Sequence, residues 1–299
     1  MNSSQKQAIF VFGWMLSISP SCLLDGLCKI LAFLVLNFLP GRRKLVLSNL
    51  KIGFPKFTRW ELLKTAFRSV SNSMEQGLLL FVWPHFHEAK LKQMFSLDEL
   101  NLNKLKKANG QKSGVLWLIP HFCHADALSI TPLYIGEGHG VHALYRPLRN
   151  EVVNSFVKSS RERFEVVSID RKDGGMLKTL KVLKRGKTLA TLFDQNAGGA
   201  GTKIKFFGKY CSCTTLPDIL AEKYKPKVLF VYTRRTGFWK SSIEVEEMGE
   251  LEINELVIEN ANRWLENKLR SDVVLRESWL WMHQRWKPNV GQIRKGKIR

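Results

Sequence analysis

Gly114-Val115-Leu116-Trp117-Leu118-Ile119-Pro120-His121-Phe122-Cys123-His124-Ala125-Asp126 is the stretch that decides the fold. Its five apolar residues run unbroken between a glycine and a proline. A continuous apolar run of that length marks a strand covered on both faces, the kind found inside parallel or mixed sheets. His121 therefore stands just beyond the carboxyl end of a buried strand.

Working outward, apolar patterning alternates between the two periods. Helices are expected from about Ala125, then over 151–164, 176–184, 214–224 and 254–269, with strands over 140–143, 165–169, 188–193, 228–232 and 241–246. Strands and helices in turn specify an α/β fold, a central mixed sheet flanked by helices. Upstream, Thr58 and Glu61 have the spacing of a capping box, and Leu62, Leu63, Ala66, Phe67 and Val70 continue at helical spacing. That helix runs to about Leu80; Pro84-His85-Phe86-His87 reads as a turn before a second helix from Glu88. The 196–202 stretch, with Gly198, Gly199 and Gly201, reads as a flexible loop. No Gly-Lys-Ser/Thr follows it, so it is not a phosphate-binding P-loop.

The N-terminus carries the sharpest change of composition. Residues 7–24 hold no charge, and after Asp25 and Lys29, one helical turn apart, a second apolar run over 30–39 ends at Pro40-Gly41-Arg42-Arg43-Lys44. This is near the length that spans a bilayer, and the basic cluster belongs on the cytoplasmic side. Pro20 interrupts the run, so a tilted or interfacial hairpin fits as well as a clean span. The expected division is a membrane anchor over 1–44 and a catalytic domain over 45–299.

Of the 299 residues, 47 are Lys or Arg and 26 Asp or Glu, a formal charge of +21. Such an excess attracts polyanions, whether nucleic acid, anionic lipid or an acidic protein. Five cysteines without framework spacing argue for a reducing compartment. Cys211-x-Cys213 has no second ligand pair, and His121, His124 and Asp126 match no metal-ligand spacing, so no metal is expected.

His121 and Asp126 form a His-x4-Asp pair. On one ideal helix they would lie about 140° apart, so they meet only if His121 precedes the helix that holds Asp126, which the strand ending at Pro120 allows. An imidazole held by a carboxylate has one fixed tautomer and a basic free nitrogen, the requirement for deprotonating a hydroxyl as it attacks a thioester. On this reading His121 is the base and Asp126 orients it.

Further blocks follow in order: Tyr145-Arg146-Pro147, Asp194-Gln195, Phe206-Phe207-Gly208 and Thr214-Thr215. Flanking them are Arg42-Arg43-Lys44, Asn49-Leu50 and Phe54-Pro55, and, near the C-terminus, Trp279-x-Trp281-x-His283-x-Arg285-Trp286-Lys287. Together these blocks resemble the lipid A late acyltransferase (lauroyl/myristoyl acyltransferase) family over nearly the whole chain. The resemblance implies a glycerolipid-acyltransferase-like fold on the inner membrane with its active site facing the cytoplasm. It implies transfer of an acyl chain from acyl carrier protein to a hydroxyl on a phosphorylated glycolipid acceptor, the lipid A precursor, with no cofactor and no nucleic acid. His121 and Asp126 match the family's catalytic pair, and Arg146, Asp194 and Gln195 its substrate-binding positions.

Three polyanionic partners, namely an acidic carrier protein, a phosphorylated acceptor and an anionic leaflet, would use a basic surface; Lys104, Lys106, Lys107, Lys203 and Lys205 are candidates. Two other readings compete. An acyl-CoA-dependent glycerolipid or glycolipid acyltransferase would share the His-x4-Asp chemistry, and a non-catalytic basic membrane-binding protein would share the charge. Against the latter, basic and aromatic residues are not interleaved on one periodic element.

Overall fold

The computed structural model describes residues 3–287, apart from Gly110, Glu137 and Asp173. Its strands are β1 (Phe95–Ser96), β2 (Val115–Ile119), β3 (Val141–Tyr145), β4 (Val167–Asp170), β5 (Thr188–Leu192), β6 (Thr202–Phe206), β7 (Lys209–Cys213), β8 (Lys227–Gly237) and β9 (Lys240–Glu247). Its α-helices are α1 (Ser3–Ile18), α2 (Ser21–Phe38), α3 (Pro40–Gly53), α4 (Arg59–Val82), α5 (Glu88–Met94), α6 (Glu99–Asn109), α7 (Pro132–Ile135), α8 (Glu151–Arg161), α9 (Gly175–Lys184), α10 (Leu216–Tyr224), α11 (Val257–Ser271) and α12 (Val273–Ser278).

Seven strands form one mixed sheet in the order β1-β9-β8-β2-β5-β3-β4. All neighbours in it run parallel except β8 and β9, a hairpin turned at Phe238-Trp239. All five residues of β2, at the centre, are buried, as a strand with helices over both faces must be. Its side chains divide with period two: Leu116 and Leu118 join one apolar cluster with Phe193, Phe230, α11 and the C-terminal tryptophans. Val115, Trp117 and Ile119 join the other, with Ala190, Val231, Leu128 and Phe95.

β2 and β5 pair in register, Val115 with Thr188 through Ile119 with Leu192. Their carboxyl ends are therefore level. Residues two beyond each end, His121 and Asp194, are brought opposite one another by that register alone.

The expected capping box forms: Thr58 Oγ1 accepts from the Glu61 backbone N–H, and the Glu61 carboxylate accepts from that of Thr58. α4 is the spine against which α1, α2, α3 and α12 pack. The Asp25–Lys29 pair closes at 2.6 Å. α2 meets α4 along one stripe, Leu24, Cys28, Ala32 and Leu36, while Leu23, Leu27, Ile30, Phe33, Leu34 and Phe38 remain exposed. α1 likewise leaves Phe10, Val11, Phe12, Trp14, Met15 and Ile18 exposed. α2 is long and apolar enough to cross a membrane. A Cβ on Gly13 would stand 2.2 Å from the Phe81 carbonyl oxygen, so glycine is what lets α1 approach α4 this closely.

Expected and observed elements agree in kind for the strands and helices of the sheet, with ends displaced by a few residues. The helix expected from Ala125 is instead a 3₁₀ segment, Ala125–Ile130, followed by α7. The loop expected over 196–202 leads directly into a β-hairpin, β6–β7, that the glycines masked. Residues 288–299 of the expected catalytic segment lie outside the described residues.

Candidate active site

The level ends of β2 and β5 make the site. His121 Nδ1 lies 2.5 Å from Asp194 Oδ1, and the His121 backbone N–H donates to Asp194 Oδ2 at 2.9 Å. Trp279 Nε1 donates to the same oxygen at 2.6 Å. Burial alone would push the Asp194 carboxyl up, but the adjoining His121 ring and these hydrogen bonds outweigh it and hold the group down at about 2. Nδ1 of His121 therefore carries the proton, and Nε2, with its lone pair, accepts from Gln195 Nε2 at 2.9 Å. Asp194 is 1% exposed and the His121 side chain 21%, so the imidazole's outer nitrogen is the accessible end of a buried couple.

The carboxylate that holds the imidazole is thus Asp194. The expectation that Asp126 does so is corrected: Asp126 lies in the first turn of the 3₁₀ segment, where its Oδ1 accepts from Arg161 Nε at 2.6 Å and pairs with the guanidinium Nη2 2.5 Å away, and its Oδ2 accepts from Gln76 Nε2 at 2.8 Å. The strand register sets His121 against a residue 73 positions away, and the turn through His124 points Asp126 elsewhere. His124, with φ of 67°, adopts the left-handed conformation that a non-glycine residue holds only when anchored. Its ring is anchored on both sides, Nδ1 at 2.8 Å from Ser241 Oγ and Nε2 at 2.9 Å from Glu75 Oε1.

Glu75, Cys123 and His124 offer ligand atoms within 4.8 Å of one another. Glu75 is already committed to Arg235 Nε and the Trp239 backbone N–H as well as His124, and burial holds the Cys123 thiol well above its ordinary range. These contacts make the cluster a brace for the His121–Asp126 turn.

A cavity of about 260 Å³ opens beside His121 on the Trp117 face of the sheet. Trp117, Ala190, Ala143 and Ser168 are register partners across β2, β5, β3 and β4, one rung whose last three side chains are small. With Val141 and Val166 beside that rung and Leu128 above it, the small side chains leave a deep, mainly apolar recess. Asn72, Gln76, Asp126 and Arg161 also face the cavity.

Behind Asp194, the C-terminal segment is a brace. His283 Nε2 accepts from the Asn196 backbone N–H at 2.8 Å, and Asn196 Nδ2 reaches the Gln284 carbonyl at 3.2 Å. Burial holds His283 down at about 4, so it stays a neutral acceptor. Arg285, fully buried, donates from Nη1 to the Gln195 carbonyl at 2.8 Å and from Nη2 to Asn262 Oδ1 at 2.6 Å. Asn49 Nδ2 ties this segment to α3 through the Trp281 and His283 carbonyls. The widely separated blocks of the sequence, 49, 194–196 and 279–287, are thereby one structure.

Of the residues singled out from the sequence, the fold assembles His121, Asp194 and Gln195 in mutual contact and puts Asp126 on the same cavity. Arg146 follows β3, exposed and outside the cavity lining. Lys104 is committed structurally, donating to the Val245 carbonyl at 2.8 Å. Sequence reasoning missed Arg161, Gln76 and the Trp279 contact; for Arg161 the only signal was its place at the end of an amphipathic helix.

One family model, described as bacterial lipid A biosynthesis acyltransferase, matches residues 6–288. The lipid A biosynthesis lauroyltransferase of Escherichia coli (strain K12) is 23% identical over 264 residues, which cover 85% of this chain and 82% of that protein.

Proposed function

The chain belongs to the bacterial lipid A biosynthesis acyltransferases, and from that premise we propose that it transfers a fatty acyl group from acyl carrier protein to a hydroxyl of a phosphorylated lipid A precursor. The observation that carries this reading is the accessible Nε2 of His121, opposite a buried Asp194 contact and at the rim of an apolar cavity. The donor's hydrocarbon chain lies in the cavity and its thioester carbonyl stands by His121. The acceptor hydroxyl takes the place that Gln195 occupies at Nε2, gives its proton to that nitrogen and attacks the carbonyl carbon. As the C–S bond breaks, the imidazolium returns the proton to the leaving thiolate. Asp194 fixes the tautomer and stabilises the imidazolium while remaining ionised, as the buried acid of a triad does. On this reading His121 is the catalytic base and Gln195 a substrate contact, and Arg146, exposed outside the cavity lining, pairs with a phosphate of the acceptor through its forked guanidinium.

The chain works at the inner membrane, with residues 1–44 as the anchor and the site on the cytoplasmic side. In support, α1 and α2 carry exposed Phe10, Trp14, Leu23, Ile30, Phe33 and Phe38, an apolar surface out of place in water, and Arg42, Arg43 and Lys44 follow at its end. The test is acyl transfer by detergent-solubilised protein to a tetra-acylated lipid A precursor, with lauroyl- or myristoyl-carrier protein compared against the CoA thioesters. Transfer from the carrier protein is expected. Transfer from CoA thioesters alone would overturn the donor assignment, and glycerolipid acylation in its place would overturn the acceptor.

A further inference from the structure

α8 has a hollow on each of two sides. Val157, Ser160 and Arg161 turn toward α4 and Asp126, the side of the catalytic cavity. Val152, Phe156 and Ser159 form a second stripe, roughly 130° round the helix. With Ile9, Phe10 and Val11 of α1 that stripe walls a separate groove of about 350 Å³. Phe81 of α4 packs behind the groove, its ring 6.3 Å from that of Phe156 and 5.5 Å from that of Phe12.

The groove belongs to the face of the protein assigned above to the bilayer. Phe10 and Val11, which line it, are 53% and 51% exposed, so its α1 wall is continuous with the apolar surface of Phe12, Trp14 and Met15. Lys6 opens that wall, and Arg146 and Arg149 stand exposed on the loop that leads into α8. Glu151 is the one carboxylate between Arg146 and Ser159. An apolar slot with cations at its approach suits an acyl chain that hangs from an anionic head group.

An acceptor with several acyl chains needs such a slot. Only the chain that bears the reacting hydroxyl reaches His121, and the donor's chain occupies the recess beyond it. The acceptor's other chains have to lie elsewhere, and drawing them from the bilayer into water would forfeit their burial. A groove on the membrane face, one helix away from the catalytic cavity, keeps a neighbouring chain covered while the hydroxyl approaches the imidazole.

We propose that the α1–α8 groove holds a second acyl chain of the acceptor, so that a multi-chain anionic glycolipid straddles α8 with its phosphorylated head beside Arg146 and Arg149. The inference rests on the acyl-transfer reading above. It makes the number of chains, and not the head group alone, a determinant of acceptor choice. It also gives α1 a task beyond anchoring, as one wall of a substrate site.

The experiment fills the groove from α8. Ser159 is the position to change, because its hydroxyl bonds only within its own helix, to the Ser155 and Phe156 carbonyls at 2.9 and 3.1 Å. Purified, detergent-solubilised full-length wild type and Ser159→Phe are compared on the tetra-acylated precursor and on a phosphorylated glucosamine that carries a single hydroxyacyl chain. The ratio of kcat/KM for the first acceptor over the second is expected to fall about tenfold in the variant, the worth of roughly two displaced methylenes, through a raised KM for the tetra-acylated acceptor. An unchanged ratio, an equal loss on both acceptors or a raised donor KM would each overturn the proposal. A second arm needs no turnover and covers a variant that fails to fold: p-benzoylphenylalanine replaces Ser159 in a His121→Ala background, in phosphatidylethanolamine and phosphatidylglycerol vesicles doped with labelled tetra-acylated precursor. Photolysis is expected to crosslink the precursor, with competition by unlabelled tetra-acylated lipid and not by the single-chain acceptor. Crosslinks to bulk phospholipid alone would overturn the acceptor as occupant. A wild-type protein that acylates neither acceptor from any thioester would overturn the acyl-transfer reading instead, and the crosslink would still decide what the groove holds.

Discussion

At the scale of single residues the account rests on which carboxylate serves which base. Asp194→Asn keeps the size of the side chain but removes the charge that fixes the His121 tautomer, and is expected to lower kcat by about 10³- to 10⁴-fold. The same couple carries a stability signature. A carboxyl held at about 2 in the folded chain, below its ordinary 3.8, contributes stability that is complete above that ordinary value and is lost as pH falls through the folded one. Acid unfolding between pH 4 and 2 should therefore be shallower in Asp194→Asn than in wild type. His283 behaves in the complementary way. The folded chain holds it neutral down to about pH 4 while the unfolded chain protonates it near 6.5, so the unfolded state binds more protons between those values and stability rises with pH across them. Chemical denaturation at pH 4.5 and 7 should show His283→Gln losing that slope; an unchanged slope would mean that His283 is not the buried acceptor described.

At the scale of elements, what was legible and what was not have separate physical causes. Val115–Ile119 reads as a buried strand because continuous hydrophobicity is a local property, and it formed with those ends. The Thr58–Glu61 box is local too, and formed. The pairing of His121 with Asp194 depends on β2 lying next to β5, a choice between strands that no local pattern encodes; the five-residue spacing to Asp126 drew attention to the nearer acid. The signal was present all the same, since Val115–Ile119 and Thr188–Leu192 are each followed, two positions on, by the histidine and the aspartate. The β6–β7 hairpin was hidden by the glycines before it, although Lys203, Ile204, Lys205 and Phe206 alternate exposed and buried as one face of a hairpin should. The rung through Ala190 and Ala143 was illegible for another reason: small residues report a cavity only when strand neighbours are known. Ala143→Leu is expected to fill part of the recess and move donor preference toward shorter acyl chains, which competition between carrier proteins bearing different chain lengths will measure. An unchanged preference would place the chain elsewhere. Against α4, Gly13→Leu should force α1 away from the Phe81 carbonyl, seen as faster proteolysis near the N-terminus with the sheet's melting little affected.

At the scale of the whole molecule, charge and apolar surface act together. A formal charge of +21 favours polyanionic partners and surfaces, and on the proposed reading the exposed apolar faces of α1 and α2 are what settles into an anionic leaflet. Flotation with vesicles should thus be strengthened by anionic lipid, but binding should survive salt, because screening weakens the charge and leaves apolar burial in place. Complete release by salt would remove the anchoring role of those helices. The central claim concerns the chemistry those helices bring to the membrane: that this chain moves an acyl group with His121 as its base. Its most direct test is the single-turnover rate of acyl transfer from carrier protein to lipid A precursor in wild type and His121→Ala. The account predicts a wild-type burst and a loss of several orders of magnitude in the variant; a variant as fast as wild type would contradict it.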